Sequence, residues 1–169
     1  WWGIDILPRV DSANPDYRRF ICDSVVEKWM NAGVAGWRLD VADELSDEFL
    51  DEFNESVKDA SGDEALIIGE VWENAVDKIA YGSRRRYFRG RQLDSVMNYP
   101  LRNGIIDFVT YGSAEILYNV LVELYSSYTR FVCDSLMNIL GTHDTARILT
   151  VLGGIYCHNK EEMAKESAY

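Results

Sequence analysis

The sequence is poor in the residues that most site chemistries need. Three cysteines and two histidines are spread over 169 residues, with no Cys-x-x-Cys pair and no His-x-x-x-His, so an ordinary transition-metal site is not expected. Cys22, Cys133 and Cys157 are an odd, widely spaced set and read as reduced thiols of a cytoplasmic protein. There is no Gly-x-Ser-x-Gly elbow, no Walker loop and no Gly-x-Gly-x-x-Gly, which removes the commonest signatures of serine hydrolases, P-loop enzymes and dinucleotide binders. Positive charge is scarce as well. Seventeen Lys and Arg face 28 Asp and Glu, a net charge of −11 that repels both nucleic acid and anionic membrane, so neither is an expected partner. No apolar run approaches the roughly 20 residues of a spanning helix, and no basic, apolar, then small-residue leader opens the chain. A soluble product without a secretion signal is the expectation. The chain begins at Trp1 rather than Met and ends in a helical pattern, which reads as a fragment.

What is present suits a folded core: 47% of residues are hydrophobic and 12% aromatic, well outside the range of disordered chains. Asn14 and Pro15 mark a helix start, and Tyr17, Ile21, Val25 and Trp29 recur at i, i+4 over about 15–31. "VAGWRLDVA" reads as a strand bounded by Gly33 and Gly36, and Phe49, Phe53 and Val57 mark a helix beginning after Ser46. "ALIIGEVW" reads as a second strand. A loop and short helix then lead through "SRRRYFRGR" to a third strand over about 93–99 that Pro100 ends. The five arginines of residues 84–91 read as a solvated face. Helical stretches near 101–109 and 113–127 precede a fourth strand at Met137–Leu140, and the chain from Thr145 reads as helix broken at "LGG".

Strands alternating with helices argue for a parallel sheet, buried on both faces. An open doubly wound sheet and a barrel both fit that alternation. The polar residues tip the choice. Asp40, Glu70, Asn98 and Asp144 each follow the apolar part of a strand, at separations of 30, 28 and 46 positions, and in a (β/α)8 barrel such carboxyl-end positions converge on one rim.

Three carboxylates in one repeating frame, with Arg38 and His143 beside two of them, are costly unless they do chemistry. Singly they have plainer readings: Asp40 or Asp144 could cap the following helix, and Glu70 could be a rim residue paired with an arginine. Together they match what glycosyl transfer through an oxocarbenium-like transition state requires. Arg38, two residues before Asp40 on the same side of the strand, can hold that carboxylate ionised, and Trp72 stands in the same relation to Glu70, where it could stack on a sugar. A carboxylate-bound Mg²⁺ or Ca²⁺ hydrolase is the alternative chemistry.

"GWRLDVADE", "GEVWEN" and "LGTHDTARIL" resemble three of the ordered motifs of the α-amylase family of glycoside hydrolases, in that family's order. "WWGIDILPRVDSANPDYRRF" resembles the segment leading into the helix before the nucleophile strand, and "MNYPLRNGI" resembles the neopullulanase, cyclomaltodextrinase and maltogenic amylase branch. The resemblance covers essentially the whole chain. It implies an α/β fold, a (β/α)8 TIM barrel of which residues 1–169 would be a partial catalytic domain, about four βα units corresponding to strands four to seven. It implies Asp40 as nucleophile, Glu70 as general acid and base, and Asp144 as the third carboxylate. Arg38, His143, Arg147, Glu44 and Trp72 would contact nucleophile or substrate, with Glu44 and Trp72 toward the acceptor side. The substrate would be an α-glucan oligosaccharide. The resemblance implies no cofactor; a structural calcium ion and a homodimer are open for the parent protein, and no calcium site is identifiable here. Within the family an oligo-α-glucosidase or glucan transferase is the runner-up. A non-catalytic barrel relative acting as a binding protein is the rival from another class, opposed by the presence of all three carboxylates. The sequence departs from the branch at Asp43, where Asn is common, and lacks the family's third-strand motif, the first strands and the eighth.

Overall fold

A computed structural model describes residues 4–89 and 91–153, which fall into two compact units: residues up to Glu70 with Asp77–Ser95, and Val71–Val76 with the residues from Val96 onward. Cys157, Trp1 and the helical reading beyond residue 153 lie outside the described residues.

The first unit opens with a helical segment over the expected span. Asn14 accepts from the amides of Asp16 and Tyr17 and starts helix α1 (Pro15–Arg19), which passes through a π-helical stretch, Phe20–Val26, into α2 (Glu27–Asn31). The π stretch corrects the predicted stripe. Bonding to i+5 inserts a residue into the turn, and the buried positions move from Ile21 and Val25 to Cys22 and Val26, leaving Trp29 47% exposed. Strand β1 (Gly36–Leu39) follows, then helix α3 (Asp47–Ser61), whose start is capped by the Ser46 hydroxyl accepting from Phe49 N–H. Phe49, Phe53 and Val57 are buried on one face. Trp37 of β1 meets Phe53 edge-on at 5.5 Å. Gly62 at φ 67° ends the helix, and strand β2 (Leu66–Gly69) returns parallel to β1, Gly36 opposite Leu66 and Leu39 opposite Gly69. β1–α3–β2 is a βαβ unit.

Two glycines permit close approach within it. A Cβ on Gly36 would stand 2.5 Å from the Leu66 carbonyl oxygen, and one on Gly69 would stand 2.5 Å from Leu93 Cδ1. The loop with a short helix expected before residue 93 is instead a hairpin, β3 (Ile79–Ala80) with β4 (Ser83–Arg84), turned by Tyr81 and Gly82 at φ 53° and 78°. Two left-handed residues make the primed turn that matches strand twist, and Tyr81 at such a position hides the signal that Asn-Gly would have given. Asp94 then runs along the other edge of β2, its N–H donating to the Ile67 carbonyl, and leads into β5 (Ser95–Val96).

In the second unit Val96 and Met97 pair in parallel with Met137 through one rung: Met137 N–H donates to Val96 C=O and Asn98 N–H to Met137 C=O. The third strand is thus shorter than expected, because the Asn98 side chain caps helix α4 (Tyr99–Tyr111) by accepting from Leu101 N–H, with Pro100 in its first turn. The fourth predicted strand reduces to that single rung; further along, the Leu140 carbonyl accepts from Arg102 Nε rather than from a neighbouring strand. Gly112, at φ 69°, ends α4, and α5 (Ala114–Ser127) packs back against it where Gly104 lets Val120 approach. Helices α6 (Arg130–Asp134) and α7 (Ile148–Val151) complete the described residues. Cys22 and Cys133 are free thiols. Among the described residues no helix is long and apolar enough to cross a membrane.

Candidate active site

The register of β1 on β2 sets the geometry. Because Leu39 lies opposite Gly69, the next residue of each strand, Asp40 and Glu70, leaves the sheet at the same carboxyl edge. Backbone bonds continue past the strand ends: Glu70 N–H donates to Leu39 C=O and Ala42 N–H to Glu70 C=O. Neither carboxylate caps a helix; Ser46 does that for α3.

Arg38 and Asp40 sit two residues apart on an extended chain, so their side chains share a face. The guanidinium spans both carboxylates. Its Nη1 pairs with Asp40 Oδ1, and its Nη2 lies 2.9 Å from Glu70 Oε2. The two acids differ sharply in surroundings, since the Glu70 side chain is 5% exposed and that of Asp40 is 68% exposed. Glu70 Oε2 also accepts from Val41 N–H at 2.8 Å. An open carboxylate and a buried one, joined by one cation, suit a reaction in which the first attacks while the second moves a proton.

Glu44 is buried, paired with Arg9 at 3.4 Å and accepting from the Tyr81 hydroxyl. It borders a cavity of about 570 Å³ with Arg9, Asp11, Ser12, Tyr81 and Arg85 among its lining. The preceding Asp43 accepts from the Tyr87 hydroxyl and pairs with Lys78 at 3.1 Å. Burial, and then this bond to Asp43, push the Tyr87 hydroxyl pKa up.

The arginine cluster is not uniformly a solvated face. Arg85 is buried, its guanidinium 5.1 Å over the Tyr87 ring and donating to the Leu45 carbonyl at 2.7 Å, while Arg86 pairs with Asp51. Asp47 and Asp51 of α3 draw these side chains down onto the protein.

The remaining predicted site residues belong to the second unit. Trp72 stacks on Tyr99, centroids 4.1 Å apart and planes within 10°, and remains 44% exposed. His143 Nε2 is 3.2 Å from Asp144 Oδ2 in a turn where Asp144 N–H donates to Thr142 Oγ1 and Thr142 N–H to Thr145 Oγ1. That turn stands well past the Met137 rung rather than at the end of a strand. Arg147 is exposed immediately before α7. Among the described residues no group of three or more His, Cys, Asp or Glu is arranged to hold a metal ion. The Val41 amide and Lys78 carry no local signal in the sequence, and Asp43 stands out there only as a departure from the branch.

A family model described as alpha amylase, catalytic domain, matches residues 3–168. The chain is 36% identical over 151 residues to a cyclomaltodextrinase of Geobacillus thermopakistaniensis (strain MAS1), covering 88% of this chain and 24% of that protein. To neopullulanase 2 of Thermoactinomyces vulgaris it is 37% identical over 153 residues, 89% of this chain and 24% of that one. Among solved structures, the cyclic alpha-maltosyl-(1→6)-maltose hydrolase of Arthrobacter globiformis in complex with maltose aligns with TM-score 0.77 at 32% identity, over 89% of this chain and 32% of that one. The chain spans about a quarter of the length of these curated relatives.

Proposed function

Since this chain belongs to the α-amylase family, we propose that it supplies about four βα units, strands four to seven, of a (β/α)8 catalytic barrel in a retaining glycoside hydrolase. The bonds cleaved are α-1,4-glucosidic bonds of cyclodextrins, maltooligosaccharides or pullulan. The names of the relatives support the substrate class, and the parallel β1–α3–β2 unit supports the barrel.

In this reading Asp40 attacks the anomeric carbon as the Glu70 carboxyl gives its proton to the departing glycosidic oxygen. A covalent glycosyl–Asp40 ester forms and the C1–O bond to the leaving sugar breaks. Glu70 then takes a proton from water, whose oxygen attacks C1 and releases Asp40. Arg38 balances the charge of both acids through the exchange. Asp144, with His143 beside it, binds hydroxyls of the distorted sugar, Arg147, Glu44 and Trp72 contact the substrate, and no cofactor takes part. Free Cys22 and Cys133 support a reducing, cytoplasmic setting.

The observation that carries the reading is one guanidinium joining an exposed Asp40 to a buried Glu70 at the ends of adjacent parallel strands. The test is Asp40→Asn in the full-length protein with a maltooligosaccharide, followed by NMR of the first product formed by the unmodified enzyme. Turnover is expected to vanish and the α-anomer to appear first. Retention of a tenth of the activity, or initial β-anomer, refutes the assignment.

A further inference from the structure

Val41, the residue after Asp40, is β-branched yet held at φ 41°, ψ 62°, a left-handed conformation that costs such a residue about 1–3 kcal/mol. The residue held this way is the one whose N–H donates to Glu70 Oε2, 2.8 Å away. Several contacts hold the chain that follows, beginning with Ala42 N–H donating to Glu70 C=O. The next three residues, Ala42–Glu44, form one 3₁₀ turn, and its middle residue is tied on both carboxylate oxygens. Tyr87 donates to Asp43 Oδ1 and Lys78 Nζ stands 3.1 Å from Asp43 Oδ2. The anchor is largely dry, with Tyr87 1% exposed and the Lys78 and Asp43 side chains 16% and 23% exposed, so its charge pairing is less screened than at a surface. Arg85 steadies it from behind, lying over the Tyr87 ring and donating to Leu45 C=O just past the turn.

We infer that the Lys78–Asp43–Tyr87 anchor is a positioning device for the Glu70 carboxyl: by fixing the Ala42–Glu44 turn it keeps Val41 left-handed and its amide on Glu70. The inference rests on the reading of Glu70 as the general acid. It also gives a role to the position at which this sequence departs from the branch, since an aspartate pairs with the Lys78 charge as an asparagine would not. Asp43, Lys78 and Tyr87 are positioning residues, acting on the acid through the backbone of Val41.

The test separates proton donation from general integrity by using two leaving groups in the full-length protein. Cleavage of maltotriose expels its reducing-end sugar as an alkoxide that needs protonation, whereas α-maltosyl fluoride releases fluoride with far less help. Asp43→Ala is expected to lower kcat on maltotriose by about ten- to a hundredfold with KM within about twofold, and to leave the first-turnover burst of fluoride release, which precedes the base-assisted second step, within about threefold. Adding Val41→Gly should restore most of the loss, because glycine enters the left-handed region without an anchor. Equal loss on both substrates, no loss, or no recovery with Val41→Gly overturns the inference. Should Asp43→Ala lack a cooperative melt, Tyr87→Phe and Lys78→Met, each removing one partner only, carry the same comparison. Glu70→Gln is run beside them. If it is not selective against maltotriose, the assignment of Glu70 falls and the anchor's role with it. If Glu70→Gln is selective and the anchor variants are not, only the anchor's role falls.

Discussion

Replacing Arg38 by alanine separates the two halves of its ion pair, because the carboxylates it holds are so differently exposed. The Asp40 half sits in water, with 68% of that side chain exposed, and such a pair is worth about 0–1 kcal/mol. The Glu70 half is another matter. Its carboxylate is 5% exposed and loses a cation at 2.9 Å, retaining the Val41 amide. Removing the cation from a buried ion pair costs about 3–5 kcal/mol where burial is complete and less where water reaches the group. Arg38 is itself 29% exposed, so water can reach part of the gap, and the lower range applies. The expected loss is about 2–4 kcal/mol, read by urea unfolding of the full-length protein as a lower midpoint at unchanged slope. Asp40→Asn should cost less than about 1 kcal/mol in the same assay. Arg38→Lys should recover only part of the loss, since an ammonium is a point charge and does not span two carboxylates as the guanidinium does. Equal destabilisation by Arg38→Ala and Asp40→Asn would refute the account of a dry and a wet half.

Gly36→Ala should destabilise by about 1–3 kcal/mol or more, because its Cβ would meet the Leu66 carbonyl, a backbone atom in the paired strand; an unchanged unfolding midpoint would contradict the close approach. Asp94→Ala should cost about 3–5 kcal/mol, since Asp94 Oδ2 accepts from both Lys58 Nζ and Ile67 N–H at 2.8 Å; hydrogen exchange at Ile67 should quicken most, and uniform exchange across β2 would count against the assignment. Burial, with Glu52 nearby, pushes the Cys22 thiol from 9.0 up to about 11. The folded state therefore holds the proton more tightly than the unfolded chain, so the contribution is complete below about pH 9 and is lost as pH rises toward 11. Melting temperature should fall across that window, and less steeply in Cys22→Ala; parallel profiles would refute it.

Much of the fold lies in local pattern. Gly36 opens β1, Ser46 caps α3, and Phe49, Phe53 and Val57 repeat at the period that buries one helix face. Where the expectation failed, a non-local or stereochemical term intervened. The π stretch at Phe20–Val26 changes the period of its own helix. Tyr81–Gly82 makes a hairpin turn with an uncommon first residue. Met137–Leu140 is apolar enough for a strand but makes one rung, and strand length depends on what lies alongside rather than on composition.

The sequence by itself determined that Asp40 and Glu70 follow two apolar stretches one βα unit apart, because period and chain breakers are read within a few residues. It also placed Arg38 on the side of Asp40, a consequence of strand geometry alone. Only the tertiary structure decided that Glu70 is buried while Asp40 is open, that Arg38 reaches both, and that Asp43 is held by Lys78 and Tyr87 and Glu44 by Arg9 and Tyr81. The partners of Asp43 and Glu44 lie 35 to 44 positions away in the chain. Burial and ion pairing are set by which chain segments pack together, and no local periodicity records them.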